Sequence, residues 1–255
     1  MSRSFVELER LAYAYPDGTQ ALADISLRAH QGESVAIVGA NGAGKSTLLL
    51  HLNGYLRPQQ GRVRIGDLSL TKESLPAVRR LVGMVFQDPD DQLFMPTVAE
   101  DVAFGPLNQG LPVAEVERRV NDALQRVGAL ALRERPPYRL SGGEKRAVAI
   151  ATVLAMEPAM LVLDEPSSNL DPGARRRLIR LLAGFEQTTF IATHDLDLAL
   201  DLCSRTVVLR EGRIVADGPT AEIFVDAALL AASGLEPPLR MQGCPLCGQA
   251  AIETT

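Results

Sequence analysis

The chain has 255 residues, of which 46% are hydrophobic and 22% are charged, a balance that is typical of globular domains and excludes wholesale disorder and collagen-like folds. The formal net charge of -5 gives no sign of a protein whose main partner is nucleic acid. No apolar run approaches the roughly 20 residues that a helix needs to cross a bilayer, and the N-terminal residues lack the apolar stretch of a signal peptide. We therefore expect a soluble, cytoplasmic chain that is not itself inserted in a membrane.

The hydrophobic pattern predicts strands that alternate with helices. The residues before position 30 alternate in the manner of strands, with a Tyr-Pro-Asp-Gly turn at residues 15–18 and a second strand over residues 25–29. Continuous apolar runs predict strands buried on both faces at residues 34–38 and 160–163. Further strands are predicted at residues 63–65, 82–86 and 188–192, and as a hairpin that joins residues 206–210 to 213–217. Apolar steps of three and four predict a helix over residues 113–127, and a basic helix is predicted over residues 173–184.

Buried strands that alternate with helices predict an α/β layer architecture. The early strands look antiparallel, which predicts a small β subdomain beside the main sheet. From about residue 232 the periodicity is lost, so we expect the last residues to form a tail.

A glycine-rich loop follows the first buried strand. Residues 39–46 read GANGAGKS and match the phosphate-binding pattern G-x-x-x-x-G-K-[ST]. The glycines let successive backbone N–H groups point at phosphate oxygens, and the helix that begins near Ser46 directs its positive end at the anion. We expect Lys45 to reach the β and γ phosphates and Ser46 to offer its hydroxyl to Mg²⁺. A glycine-rich turn with a chance lysine is the weaker interpretation, because the loop lies between a buried strand and an apolar helix.

Two carboxylates end the strand predicted at residues 160–163. Asp164 is placed to hold Mg²⁺ from its outer ligand shell or through water, and Glu165 to act as the general base that polarises the attacking water. Such a pair alone often only caps the helix that follows. Because a phosphate loop precedes it in the same chain, a nucleotide site is the favoured interpretation.

A third element reads Leu-Ser-Gly-Gly-Glu at residues 140–144. A serine and two glycines that open a helix form an anion-binding helix start. Taken alone, Ser141 with Glu144 three residues later is equally a capping box. The first interpretation gains weight from the other two motifs.

The order of the motifs carries a resemblance to a known family. The phosphate loop, Gln87, LSGGE, LVLDEP, the stretch 168–171 and His194 together closely resemble the ABC-type ATPases, the nucleotide-binding subunits of ATP-binding-cassette transporters. Residues 86–94 (FQDPDDQLF) and 98–106 (VAEDVAFGP) resemble the energy-coupling-factor and cobalt/nickel importer branch. The resemblance implies an ATPase domain over residues 4–232, with a RecA-like core, a small antiparallel β subdomain and an α-helical signature subdomain at about residues 95–155. Residues 233–255 would form a C-terminal tail.

The resemblance also implies roles for individual residues. Tyr15 is expected to stack on adenine, with Tyr13 as its close competitor. Glu165 is expected to act as the base, His194 to contact the γ-phosphate and hold Glu165 in place, and Gln87 to reach the attacking water. The expected ligands of Mg²⁺ are Ser46, Gln87 and Asp164. The other expected nucleotide-binding residues of the loop and its helix are Gly39, Asn41, Gly42, Gly44, Lys45, Ser46 and Thr47.

Some of these roles need a second copy of the subunit. Ser141, Gly142 and Gly143 are expected to bind the nucleotide that Lys45 of the other copy holds, and Asp171 to bridge the interface. Since one chain contains every element of a complete site, a homodimer is favoured, with a heterodimer as the alternative. Glu144 departs from the glutamine that is commonest at this position, which leaves the detail of that contact open.

The implied function is that of an ATPase that uses ATP and Mg²⁺ to energise a membrane import complex. The expected partners are the second ATPase subunit, a transmembrane coupling protein and a substrate-binding membrane component, with no nucleic acid. The chain would lie peripherally on the cytoplasmic face of the inner membrane. Cobalt or nickel is the favoured cargo, and a vitamin such as biotin is the alternative.

Other classes are disfavoured by the sequence. A cytosolic ABC ATPase of DNA repair or translation usually needs a long coiled-coil insertion or two cassettes in one chain, and neither is present. A GTPase needs an Asn-Lys-x-Asp selector, which the sequence lacks. A small-molecule kinase would not explain LSGGE.

Two further features of the sequence are expected to be structural and not part of a functional site. The arginines of the basic helix are predicted to form a solvated face: Arg175, Arg176, Arg177 and Arg180. Cys244 and Cys247 supply only two of the four ligands that a zinc site needs. We therefore expect a tail in which both thiols are free. The alternative is a zinc site that two copies of the chain share. Cys203 is expected as a packed thiol on a short helix.

Overall fold

A computed structural model describes residues 4–242. Within that range the strands are β1 (Val6–Ala14), β2 (Gln20–Ala29), β3 (Ser34–Val38), β4 (Gln60–Ile65), β5 (Leu68–Ser69), β6 (Val82–Val85), β7 (Met160–Asp164), β8 (Thr188–Ala192), β9 (Arg205–Arg210) and β10 (Arg213–Pro219). The helices are α1 (Lys45–Leu52), α2 (Leu75–Leu81), α3 (Val98–Asn108), α4 (Val113–Arg126), α5 (Gly142–Leu154), α6 (Pro172–Ala183), α7 (Leu196–Leu202), α8 (Thr220–Val225) and α9 (Ala227–Ala232). In this part of the chain none of the helices combines the length and the apolar character that crossing a bilayer requires.

The strands form two sheets. The larger has six strands in the order β10-β9-β3-β8-β7-β6, and all neighbours in it are parallel except the β9–β10 hairpin. The strands β6, β7 and β8 are buried along their whole length, which explains why most of their residues are apolar. The smaller sheet, β2-β1-β4-β5, is antiparallel.

Three helices form a separate helical unit. The helices α3, α4 and α5 pack against one another, and α4 turns Val116, Val120 and Leu124 into their shared core. At the start of α3, Thr97 and Glu100 form a capping box, which satisfies backbone N–H groups that the helix leaves free. The predicted α/β class, with an antiparallel sheet and a helical subdomain, is confirmed.

The boundaries of several elements differ from the sequence-based expectations. The second strand begins at Gln20 rather than residue 25, because Leu22 already pairs with Tyr13 of β1. An irregularity separates the two parts of this strand, and Asp24 has a φ of 57° there. Alternation breaks at such a bulge, so the pattern identified only the second half.

The segment after α9 makes contacts that its sequence does not predict. The backbone N–H of Leu239 donates to the carboxylate of Asp197 in α7, and Arg240 pairs with Asp197 and Asp201 at 3.0 and 2.8 Å. Leu239 and Arg240 therefore lie against α7, and the boundary at residue 232 stays a prediction. The predicted half-site of Cys244 and Cys247 lies outside the described residues.

Cys203 is buried, as expected, but it lies at the C-terminal cap of α7 rather than on the helix. Burial raises the pKa of its thiol to about 12. The residue is therefore a packed, neutral thiol.

Candidate nucleotide-binding site

The parallel strands of the large sheet bring the predicted site residues to one edge. The phosphate loop follows β3, Gln87 follows β6, Asp164 ends β7, and His194 follows β8. These strands are neighbours in register, with Asp164 opposite Ala192. Ligands of open α/β sheets bind outside the carboxyl ends of the strands, so this edge is where a site is expected.

The phosphate loop requires glycine at two places. A Cβ at Gly39 would collide with the carbonyl oxygen of Leu209, and one at Gly44 would collide with that of Ala21. Gly44 also has a φ of 102°, which side chains disfavour. Lys45 is buried, and its Nζ donates to the carbonyl oxygens of Gly39 and Ala40 at 2.9 and 3.2 Å. The lysine thus lies across the concave side of the loop.

A cleft of about 500 Å³ opens at this loop, a size typical of small-molecule sites. It collects residues from the small sheet, the loop and three strand ends. The predicted site residues on its wall are Tyr15, Asn41, Gly42, Gly44, Lys45, Ser46, Thr47, Gln87, Glu165 and His194.

The two candidate tyrosines occupy different positions. Tyr15 lies on the cleft wall, where its hydroxyl is 2.9 Å from that of Thr47. Tyr13 packs behind it, edge-on to Tyr15 at 5.3 Å and to the buried His51 at 5.0 Å between ring centroids. The geometry therefore favours Tyr15 over Tyr13 as the ring that meets a base.

Glu165 and His194 are in direct contact. The Nδ1 atom of His194 lies 2.7 Å from Oε2 of Glu165, and the backbone N–H of His194 donates to the same oxygen at 3.2 Å. The other carboxylate oxygen of Glu165 lies 3.9 Å from Nζ of Lys45. Glu165 itself is buried, whereas 63% of the His194 side chain is exposed. One carboxylate is thus held between the loop lysine and the histidine.

Asp164 has the features of a cation ligand. It is buried, and its Oδ1 atom has no hydrogen-bond partner. Burial raises the pKa of this carboxyl, while a hydrogen bond from Ser46 lowers it. An unpartnered oxygen beside a serine hydroxyl fits Mg²⁺, which takes one or two protein ligands and completes its shell with water and phosphate oxygens. Consistently, residues 4–242 contain no cluster of three or more histidine, cysteine, aspartate or glutamate side chains that could hold a metal alone.

An arginine of the helical unit holds the backbone at Gln87. The guanidinium of Arg146, in α5, donates to the carbonyl oxygens of Phe86 and Gln87 at 2.7 and 2.6 Å. Arg146 is only 3% exposed, and burial lowers its pKa. A buried charge is costly unless it is hydrogen-bonded. Sequence reasoning missed Arg146, whose only signal is its place two residues after the LSGGE stretch.

The LSGGE residues do not join Lys45 in the cleft. Ser141 caps α5, and its Oγ lies 2.7 Å from the carboxylate of Glu144 in a complete capping box. Gly142 lines a neighbouring cleft together with Gln87, and Gly143 faces Ala174 of α6. The structure therefore shows the capping box, and anion binding by this stretch stays a prediction.

Asp171 also lies outside the cleft. Its carboxylate accepts the backbone N–H groups of Gly173 and Ala174 at 2.8 and 2.9 Å and thereby caps α6. The residue is exposed. It can therefore be reached by a second molecule, as the resemblance implies.

One arginine of the basic helix contradicts the predicted solvated face. Arg175 is partly buried and forms a two-pronged pair with Asp195, the residue after His194, at 2.6 and 2.8 Å. Arg176, Arg177 and Arg180 are exposed, as predicted. A run of arginines does not reveal which of them points inward, so the sequence did not distinguish Arg175.

Comparisons with known proteins are consistent with a nucleotide-binding site of this kind. The family model "ABC transporter" matches residues 22–168. A putative ABC transporter ATP-binding protein of Geobacter sulfurreducens is 66% identical over 98% of this chain and all of its own length. The cobalt import ATP-binding protein CbiO of Rhodobacter capsulatus is 52% identical over 91% of this chain and 84% of its own length. The energy-coupling factor transporter ATP-binding protein EcfA of Methanothermobacter thermautotrophicus is 46% identical over 98% of this chain and 85% of its own length.

Two solved structures extend the likeness to three dimensions. CbiO1 of Clostridium perfringens, described as part of the ABC transporter complex CbiONQ, matches with a TM-score of 0.79 and 40% identity over 90% of this chain and 94% of its own. The ATP-binding cassette MJ0796, a dimer with ADP and phosphate, matches with a TM-score of 0.75 and 27% identity over 84% and 98%. The predicted enzyme class is confirmed. This chain belongs to the ABC transporter family, as an ATP-binding subunit of the kind that hydrolyses ATP to power transport.

Proposed function

We propose that this ATPase energises a membrane complex that imports cobalt or nickel ions. The observation that carries the catalytic part is the contact of Glu165 with His194 beside Lys45, at the carboxyl ends of neighbouring parallel strands. The cargo part rests on the relatives, because one of them is named as a cobalt import subunit and another as an energy-coupling factor subunit.

The loop and its helix would bind the triphosphate. Gly42, Gly44 and the start of α1 line the cleft, and their N–H groups would supply the positive dipoles that bind phosphate. Lys45 would exchange its bonds to backbone carbonyl oxygens for bonds to phosphate oxygens. Tyr15 would stack on the adenine, for a gain of about 1 kcal/mol.

The carboxylate of Glu165 would act on water. In the proposed step it accepts a proton from the water, whose oxygen attacks the γ-phosphorus while the bond to the leaving oxygen of ADP breaks. His194 would hold the carboxylate in this position, and Gln87 would orient the water from the opposite strand end. Mg²⁺ bound at Asp164, Ser46 and Gln87 would neutralise charge on the phosphate oxygens.

A second copy would complete the site. Ser141, Gly142 and Gly143 lie outside the cleft that holds Lys45, and in the proposed dimer they would bind the nucleotide of the partner. The exposed Asp171 would bridge the interface. The dimeric cassette of similar fold supports this arrangement, and we favour a homodimer because one chain carries all of the parts.

An aromatic patch would dock the transmembrane partner. Phe94 and Phe104 are 62% and 41% exposed, and their rings meet edge-on at 5.1 Å. Both lie close to the segment that begins with Gln87. Exposed aromatic patches of this kind mark interaction sites. The ATPase would therefore bind peripherally, at the cytoplasmic face of the inner membrane, to a coupling protein and through it to a substrate-binding component.

The substitution Glu165→Gln tests the proposal, because it removes the base and keeps the shape of the side chain. We expect the variant to bind ATP, to form a stable ATP-dependent dimer and to lose nearly all turnover. Cells that carry it should accumulate less cobalt or nickel than cells with the natural chain, measured by elemental analysis.

The outcomes separate the possible cargoes. If labelled biotin uptake falls while both metals are unchanged, the cargo is a vitamin, and the alternative proposal replaces the first. If turnover persists in Glu165→Gln, Glu165 is not the base.

A further inference from the structure

Asp195, the residue that follows His194, is a hydrogen-bond hub. Nε and Nη2 of Arg175 donate to its two carboxylate oxygens at 2.6 and 2.8 Å. The Oγ of Ser167 donates to one oxygen at 3.2 Å, and the backbone N–H of Leu198 donates to the other at 2.9 Å. A two-pronged arginine–carboxylate pair constrains orientation as well as distance. The carboxylate of Asp195 therefore has little freedom.

The electrostatics of the hub agree with its geometry. Burial by itself would raise the pKa of Asp195, but hydrogen bonds from Arg175 and Leu198 outweigh it, and the net pKa lies below its ordinary value. Only 19% of the Asp195 side chain and 29% of that of Arg175 are exposed. Partly buried pairs are screened less by salt than pairs on the surface. The pair is therefore formed throughout the neutral pH range.

The backbone around His194 is anchored on both sides. Before it, the N–H of the fully buried Thr193 donates to the carbonyl oxygen of Ile37 in β3 at 3.1 Å. After it, the N–H of Asp195 donates to the hydroxyl of Thr193 at 3.0 Å. The largely exposed ring of His194 has few contacts of its own to hold it, so its direction depends on these neighbours.

We propose that Arg175 and Asp195 are positioning residues, which hold His194 so that its ring and its backbone N–H both contact Glu165. The inference rests on the roles proposed above for His194 and Glu165. Neither Arg175 nor Asp195 lines the nucleotide cleft, so the proposed effect of both on catalysis is an indirect one, through His194. A misplaced histidine would leave Glu165 less well oriented towards water, which slows chemistry without weakening ATP binding.

The hydrogen bonds of Asp195 also reach the segment that contains Asp171. Ser167 and Arg175, which both bond to Asp195, lie on either side of Asp171 in the sequence, and Asp171 caps α6. The carboxylate of Asp195 therefore connects this segment to the backbone that carries His194.

The first experiment is Arg175→Met in the intact chain, with ATP hydrolysis measured over a range of ATP concentrations. We expect kcat to fall about tenfold, with KM for ATP changed by less than about twofold, because the loop contacts are untouched. Arg176→Met, an exposed neighbour on the same helix, is the matched control and should keep both constants. Arg175→Lys should recover part of kcat, since lysine keeps the charge but offers no fork.

A double-mutant cycle separates positioning from general stability. Because Arg175 acts through His194, Arg175→Met should lower kcat by less than about twofold when it is added to His194→Ala. Additive losses in the double variant would overturn the inference, and so would an unchanged kcat in Arg175→Met. If Arg175→Met fails to fold, as judged by its melting curve, the same cycle is run with Asp195→Asn, which keeps an acceptor for Leu198.

The cycle also distinguishes this inference from the proposed function. If His194→Ala keeps its turnover, the proposed role of His194 is wrong, and the inference falls with it. If His194→Ala loses its turnover while the Arg175 and Asp195 variants keep theirs, only the positioning inference is wrong.

Discussion

Glu165 is held in a backbone conformation that residues with side chains rarely adopt. Its φ of 44° lies in the left-handed region, where a non-glycine residue costs roughly 1–3 kcal/mol. Its N–H donates to the carbonyl oxygen of Ala192 in β8 at 2.8 Å, so the neighbouring strand maintains the conformation. The strained turn directs the carboxylate back towards Lys45 and His194 instead of along the strand.

At the same scale, Lys45 is the most direct test of the phosphate loop. We expect Lys45→Ala to weaken ATP binding by at least about tenfold, because a buried cation that faces the triphosphate is removed. Isothermal titration calorimetry measures the change. Lys72→Ala, which alters an exposed lysine, is the control. Equal affinity in both variants would contradict the assignment of the loop.

At the scale of elements, α3 determines the shape of the aromatic patch. The buried Asp101 accepts the backbone N–H groups of Phe94 and Met95 through one oxygen, at 3.0 Å each, while its other oxygen has no partner. Burial raises the pKa of Asp101, and these N–H groups lower it only in part. The helix thus holds the loop that carries Phe94 with a carboxylate that is costly to ionise.

This arrangement predicts a pH-dependent difference between two variants. Asp101→Ala should lower the free energy of unfolding by about 2 kcal/mol, because the charged acceptor of two hydrogen bonds is lost. Asp101→Asn keeps an acceptor and should be far less harmful. Since the folded-state pKa is raised, the native chain binds the proton more readily than the unfolded one, and stability from this group grows as the pH falls.

Urea unfolding at about pH 7 and at about pH 4, close to the ordinary pKa of an aspartate, measures the effect. Relative to Asp101→Asn, which cannot titrate, the natural chain should gain stability at the lower pH. A difference that stays constant, or that grows in favour of the asparagine variant, would contradict the raised pKa.

The elements differ in how far the sequence reveals them. The helix α4 and the strands β3, β7 and β8 were predicted to within one residue, because their apolar patterns are long or continuous. The short helices α2, α8 and α9 were not predicted, since six or seven residues hold too few apolar steps to establish a period. In the structure α2 and α8 pack against strands, and α9 packs against α8.

At the scale of the whole molecule, the sequence motifs revealed the residues that line the site better than the residues that hold them in position. Short local motifs contain the residues at the centre of the site, and the residue types in these motifs already indicate their chemistry: Lys45, Glu165 and His194. Arg146 and Arg175 act across the fold, on Gln87 and Asp195, and nothing near them in the sequence names these partners. Such pairings appear only when the helical unit and the sheet are assembled.

The aromatic patch gives a prediction for the assembled transporter. Changing Phe94 and Phe104 to alanine should lower co-purification with the transmembrane partner at least about tenfold, because buried aromatic anchors dominate interfaces. Tyr138→Ala removes another exposed ring, which lies between α4 and α5 and is 75% exposed, and this change should not lower co-purification. Pull-down from cells that express the complex measures both. Full co-purification of the double variant would place docking elsewhere.

The buried thiol at the end of α7 makes the molecule suited to distance measurement. Because its pKa is raised to about 12, Cys203 stays protonated and unreactive at neutral pH, where thiolates are what alkylate. With Cys244 and Cys247 replaced, spin labels attached to cysteines introduced at Tyr138 and Lys72 would leave the core chemically untouched. The separation between the two labels would then report whether the stretch around residue 138 moves relative to the small sheet when ATP binds and is hydrolysed.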